Sequence, residues 1–337
     1  MDDQAPTRRE FLERALDLAA FFMVSRAGNL LADEPPSRLM AESDRRLPTT
    51  ADVQRKNLTY LLLDLELAYG RNGAIPFTGE PQTRGLCLAR FEHIADVFSS
   101  TTGFGWMRQQ PHRFNGLRTQ EVEGVLLALD RAIQGGGLHP PPREEVDNVD
   151  FLTPGLLHGS VDCDIYSFVA LGIAERYGIP LYGVQSPGHF FTRWQSPLVR
   201  LNFDQGRIRE GDDPYIDGSF VNDFTIDPLS NSTNHPQRGI SQESLSQGVY
   251  LRTLSKRETV ASHLATIASG LIRNQENRRA LSLTTLATMW APQDVTGHLQ
   301  RAVALHALGR YAEEDREYRQ ATTLDSMLPA RMYHLGL

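Results

Sequence analysis

Cys163, His189 and Asp204 are the three residues of this chain whose types and order make up a nucleophilic site. The thiol opens the run Cys163-Asp164-Ile165-Tyr166, the imidazole lies in Pro187-Gly188-His189-Phe190-Phe191, and the carboxylate ends Leu201-Asn202-Phe203-Asp204. A thiol attacks an acyl carbon when a neighbouring base takes its proton and a third group holds that base in the right tautomer. The expected chemistry is thiol-dependent acyl transfer on a peptide or amide, with hydrolysis as its simplest outcome and transamidation as the other. Each residue taken singly has a bland reading. A free cysteine is commonly a buried small hydrophobe, a strand histidine is commonly structural, and an Asp after a strand is commonly a turn residue. The order of the three, on one helix start and two strands, is what favours chemistry.

The elements that must position them follow from spacing. Ile165, Phe168, Val169, Ile173 and Ala174 recur near a helical period over 164–177, and Gly178 and Pro180 end that helix. Asp162 is placed to cap it. Cys163 then sits at the helix N-terminus, where unpaired N–H groups and the positive dipole end favour a thiolate and can hold an oxyanion. Leu181 to Gln185 and His189 to Trp194 read as strands, Gln195-Ser196-Pro197-Leu198 as a turn, and Leu198 to Phe203 as a third strand. With Ser196 and Pro197 as the two central turn residues, His189 faces Asp204 and Phe191 faces Asn202, their Cβ atoms roughly 4.5–5.5 Å apart. A longer loop changes this register.

The stretch from Phe151 to Asp217 resembles the transglutaminase-like (papain-like) superfamily, in particular a bacterial branch that carries C-terminal tetratricopeptide repeats. The matching residues are Gly159-Ser160-Val161-Asp162-Cys163, then Ala174-Glu175-Arg176-Tyr177-Gly178-Ile179-Pro180, then Pro187-Gly188-His189-Phe190-Phe191, then Leu201-Asn202-Phe203-Asp204. The resemblance implies Cys163 as nucleophile, His189 as base and Asp204 as the orienting acid. It also implies an α+β core of helix plus antiparallel sheet. Many members of that branch lack the cysteine, which this chain keeps.

Composition bounds the alternatives. The chain of 337 residues is long enough for two or three compact units, and its net charge of −7 provides no basic footprint for nucleic acid. Cys87 and Cys163 are the two cysteines, with no Cys-x-x-Cys pair for a structural zinc; a Cys87–Cys163 disulfide is open if the protein is exported. No run has the length of a membrane-spanning helix. His93, His112, His139 and His158 fall at no metal-ligand spacing. Arg209 to Asp217, with Glu210, Asp212, Asp213 and Asp217, reads as a solvated acidic loop. No cofactor or metal is implied.

Residues 1–32 hold Arg8-Arg9 ahead of an apolar stretch and read either as a twin-arginine export signal or as an amphipathic helix, so the compartment stays open between exported and cytoplasmic. Residues 33–150 read as mostly helical, with Leu58 to Tyr69, Leu86 to Phe98 and Thr119 to Ile133 as helices and the Gly135-Gly136-Gly137 to Pro140-Pro141-Pro142 stretch as a connector. The core spans 151–250, with Ser219 to Gln247 as a joining segment. At 255–337, Ala307-Leu308-Gly309-Arg310-Tyr311 with Tyr318, Ala321 and Leu324 matches the second half of a tetratricopeptide unit. The roughly 34-residue period of such units sets Ala287 against Ala321 and Trp290 against Leu324, giving repeats over 261–294 and 295–329. Two repeats fall short of a free-standing array, so they are expected to pack on the core domain. The partner is a protein or peptide, as substrate or as ligand. The competing function is a protein-binding module in which no bond is broken.

Overall fold

The leucine-rich run Leu58-Thr59-Tyr60-Leu61-Leu62-Leu63-Asp64-Leu65 is apolar around most of its circumference, which dictates a helix enclosed by others. The computed structural model describes residues 47–69, 71–72, 75–76, 82–102, 111–140, 151–216 and 239–329. The Arg8-Arg9 segment, Phe104-Gly105-Trp106, Pro141-Pro142 and Asp217 lie outside the described residues. Helix α1 (Thr50–Arg55) starts from a capping box between Thr49 and Asp52. Helix α2 (Leu58–Tyr69) buries Leu58, Leu61, Leu62, Leu63 and Leu65. A short hairpin, β1 (Arg71–Asn72) and β2 (Ile75–Pro76), follows, then α3 (Thr83–Thr102), a 3-10 turn at Pro111–Gly116 and α4 (Thr119–Gly135).

Two helices lead into the site. Helix α5 (Leu152–His158) has no capping side chain of its own. The Glu66 carboxylate of α2 takes that place, accepting the N–H groups of Leu152 and Thr153 at 2.6 Å each. Helix α6 (Cys163–Tyr177) is capped by Asp162, whose side chain accepts from Ile165 N–H, and stops at Gly178 in the left-handed region. The four residues between α5 and Cys163 are pinned from outside. His139 N–H donates to Gly159 O at 2.8 Å and Val161 N–H to His139 O at 3.0 Å. Gly159 is required there, since a Cβ would stand 2.4 Å from Gly137 O.

The sheet is wholly antiparallel, in the order β6-β5-β4-β3-β7. Its strands are β3 (Leu181–Ser186), β4 (His189–Gln195), β5 (Arg200–Asp204), β6 (Arg207–Arg209) and β7 (Thr253–Leu254). The two short edge strands have no counterpart in the sequence expectation. Pro187 and Gly188, the latter at φ 67°, join β3 to β4 as a two-residue turn, which places His189 as the first residue of β4 opposite Ser186. Between β4 and β5 the expected two-residue turn is wrong. The observed pairs are Thr192 with Phe203, Arg193 with Asn202, Trp194 with Leu201 and Gln195 with Arg200. The loop therefore runs over Ser196 to Val199. Ser196 closes it, its N–H donating to Val199 O at 2.9 Å and its Oγ accepting from Val199 N–H at 3.1 Å. A slip of two residues preserves side-chain parity. His189 and Asp204 stay on one face, as diagonal rather than direct neighbours.

Downstream of the sheet come α7 (Asp213–Ile216) and α8 (Gln242–Ser246), then two antiparallel helix pairs, α9 (Lys256–Arg273) with α10 (Asn277–Trp290) and α11 (Val295–Ala307) with α12 (Tyr311–Leu324). The second helices of the two pairs are offset by about 34 residues, from Asn277 to Tyr311 and from Trp290 to Leu324. The first helix starts earlier than the expected 261, because a capping box between Ser255 and Glu258 opens it at Lys256. One apolar core runs unbroken from α2 through α6 and the sheet into α9 and α10. A smaller one covers the second face of the sheet with Val249, Tyr250 and Leu251. Both cysteines are free thiols, so no disulfide links them. The fold is α+β.

Candidate functional site

Pleating sends Phe190, Thr192 and Trp194 of β4 to one side of the sheet and His189, Phe191 and Arg193 to the other. The first side is where α6 packs, with the Phe168 and Phe190 rings 5.2 Å apart and those of Tyr166 and Phe203 6.0 Å apart. On the second side His189 Nε2 lies 2.7 Å from Asp204 Oδ2. Both groups are almost closed to solvent, at 7% and 2% exposure. A carboxylate only accepts, so in this contact the imidazole donates through Nε2.

Cys163, 5% exposed, is the first residue of α6. It meets β4 along the strand edge. The ladder to β5 runs out at Thr192 and Phe203. Beyond that pair the backbone N–H of Phe190, the residue after His189, favours the ionised form of the Cys163 sulfur. The thiol itself donates to Asp164 Oδ1 at 3.4 Å. The structure thus brings His189 and Asp204 into direct contact and carries Cys163 to the same end of β4, within reach of the Asp204 charge.

The electrostatics of the thiol reverse the expectation drawn from the helix N-terminus. Burial, then the charges of Asp164 and Asp162, raise its pKa well above the ordinary range; Phe190 N–H opposes them and Asp204 adds to them. A dipole end and one N–H donor do not outweigh desolvation with three carboxylates close by. The resting group is the neutral thiol.

Around this pair the structure adds residues that the sequence reading missed. Tyr166, one turn into α6, donates to Asp130 Oδ1 of α4 at 2.6 Å. Its phenol is pushed up by burial, then by Asp130, with Asp204 contributing. The Asp130 carboxylate in turn sits against the turn after Asp204: a Cβ on Gly206, at φ 82°, would lie 2.8 Å from it. On the His189 face, Arg193 donates to Asn202 Oδ1 at 2.6 Å and pairs with Asp212. Asp212, expected in a solvated acidic loop, is instead held by Arg193 and Arg200 together. A pattern of Arg193 and Asn202 at inward-facing strand positions was the signal available for this, since a polar pair there must find partners. Among the expected bystanders, His158 ends α5 and His139 serves through its backbone. Among the described residues no group of His, Cys, Asp and Glu is arranged to hold a metal ion, and no helix is long and apolar enough to cross a membrane.

No protein-family model matches the chain, and neither a curated protein nor a solved structure matches it.

Proposed function

We propose that the chain carries out thiol-dependent acyl chemistry on a peptide or amide, in the manner of the transglutaminase-like superfamily it resembles. The observation that supports this most directly is the buried 2.7 Å contact between His189 Nε2 and Asp204 Oδ2, beside the helix start that carries Cys163. His189 Nδ1 takes the thiol proton as the sulfur bonds to the acyl carbon. The C–N bond then breaks, the amine leaves with the proton returned by His189, and a thioester remains on Cys163. Water resolves the thioester in hydrolysis; a second amine resolves it in transamidation. Because the resting thiol is neutral, proton transfer is coupled to attack rather than preceding it, and the thiol must first turn from Asp164 toward the imidazole. The helix pairs α9–α12 are read as tetratricopeptide-type units that present the peptide partner.

The acyl-enzyme is the test. Mass spectrometry of protein mixed with a panel of peptide esters and amides should show an adduct on Cys163 that hydroxylamine removes. Cys163→Ala should not acquire it. An adduct that forms equally without Cys163 would end the assignment.

A second reading is supported by the buried, neutral thiol and its bond to Asp164. In it the domain binds a protein segment and breaks no bond. Unchanged partner affinity in Cys163→Ala, with no adduct in the parent chain, would select it.

A further inference from the structure

After β6 the chain turns back over the His189 face of the sheet, and side chains of β4 and β5 decide its path. Arg193, 1% exposed, donates Nε–H to Asn202 Oδ1 at 2.6 Å, gives another N–H to Leu251 O and pairs through Nη2 with Asp212. Asn202, its cross-strand partner, donates Nδ2–H to Gly211 O at 2.6 Å. Arg200 holds the second oxygen of Asp212. Residues 211 and 212 are thereby fixed, and α7 begins on them, with Tyr215 N–H donating to Asp212 O at 2.9 Å. Tyr215 is the buried side chain of that helix. Its ring lies nearly parallel to that of Phe191, 4.1 Å away at 12°, and nearly parallel to the His189 imidazole, 6.3 Å away at 11°. His189 and Phe191 are themselves 5.8 Å apart at 22°.

We propose that Tyr215 is a positioning residue for the His189–Asp204 pair: a flat wall, set in place by Arg193, Asn202 and Asp212, that holds the imidazole in the plane that meets Asp204 and keeps water off their hydrogen bond. The proposal rests on the reading of His189 and Asp204 as base and orienting acid. Three observations carry it. The three rings are close to parallel, which restrains the one soft torsion of an imidazole that matters for a bond in its own plane. A bond to a carboxylate is much stronger where water is absent than where it competes. A buried guanidinium is costly unless fully engaged, and this one is engaged in anchoring the segment that delivers Tyr215. Burial, followed by the Asp204 charge, pushes the Tyr215 phenol upward.

The exchange of the His189 Nε2 proton with water reports the wall directly. In protein labelled with 15N-histidine, this proton should give a protected downfield resonance. Tyr215→Phe should leave it unchanged, because the ring remains. Tyr215→Ala should speed its exchange by about tenfold or more relative to the core backbone amides of the same variant, which report its loss of global stability. Asp212→Asn, which loosens the anchor and leaves the ring, should act in the same direction. Should Tyr215→Ala fail to fold, Tyr215→Leu, which keeps bulk but not a plane, takes its place with the same expected result. Wild-type protection in a folded Tyr215→Ala or Tyr215→Leu chain, or no protected resonance in the parent, would overturn the proposal. Failure of the acyl-transfer reading would show instead as no Cys163 adduct with the resonance and its response to Tyr215 intact.

Discussion

At the scale of single residues, the groups of the proposed triad are held by different means and should fail differently. On the proposed mechanism Cys163→Ala and His189→Ala are expected to bring turnover to background; Cys163→Ala should leave the melting temperature nearly unchanged, whereas His189→Ala, which strands the buried Asp204 carboxylate, should lower it. Asp204→Asn removes orientation and charge support and is expected to cost less, about 10²–10⁴-fold in kcat. Steady-state kinetics on any substrate found by acyl-enzyme trapping checks the order. Asp164 acts in the opposite sense, since its carboxylate accepts a hydrogen bond from the thiol and, after burial, contributes most to raising the thiol pKa. Asp164→Asn should therefore lower the pKa of Cys163. Below that pKa each unit of lowering gives about tenfold more thiolate, so iodoacetamide should alkylate Cys163 faster at pH 8. An unchanged pH–rate profile would show that Asp164 does not control the thiol.

At the scale of elements, the entry to the site depends on a carboxylate three helices away in sequence. Glu66 of α2 caps α5, the helix just before Cys163, and His263 of α9 lies 2.7 Å from its Oε1, with both side chains fully buried. The His263 ring is not angled for a directed hydrogen bond to Glu66, so the two capping bonds carry the larger share of the effect. Glu66→Ala leaves two buried N–H groups without their acceptor and should destabilise the fold by about 3–5 kcal/mol in urea titration. Glu66→Gln keeps one acceptor and should cost less. The neighbouring Cys87 provides a pH test. Burial, then Glu66, pushes its thiol from 9.0 up to about 12. Unfolded chains lose that proton near pH 9 while folded ones keep it, so stability falls as pH rises from 9 to 12, by a few kcal/mol in order of magnitude. Tyr166, Tyr215 and Cys163 shift in the same direction but remain in a Cys87→Ala variant. The stability of that variant should decline less steeply over the same window, and an identical slope would rule out Cys87 as a contributor.

At the scale of the molecule, the helix pairs are not an appendage. Val260, Leu264, Ile267 and Leu271 of α9 lie in the same core as Leu61, Leu62 and Phe168. The aromatic edge of His263 meets Phe168 with centroids 4.9 Å apart. Expressed alone, residues 255–337 would expose the α9 face that α2 and the sheet cover here. That fragment is expected to be poorly folded or self-associated by circular dichroism and sedimentation. A monomeric fragment that melts cooperatively would show that α9 needs no partner.

Much of this was legible in the chain. Periodicity and end signals located α2, α4 and α6 closely, because a buried helix must be apolar on most of its surface and must stop at residues such as Gly178. Parity located His189 and Asp204 on one face, and that survived an error in the turn, because a two-residue slip does not change the face a strand residue occupies. Three things only the tertiary structure decided. The loop length between β4 and β5 depends on Ser196 bonding across the loop, which local propensity does not reveal. The protonation of Cys163 depends on how much water its neighbours displace and on three carboxylates, one of them 41 residues away in sequence at Asp204. The Arg193–Asn202–Asp212 clamp joins residues that look, in sequence, like ordinary strand and loop positions. Type and order are local properties that a sequence carries directly, whereas desolvation and long-range charge exist only once distant segments are brought together.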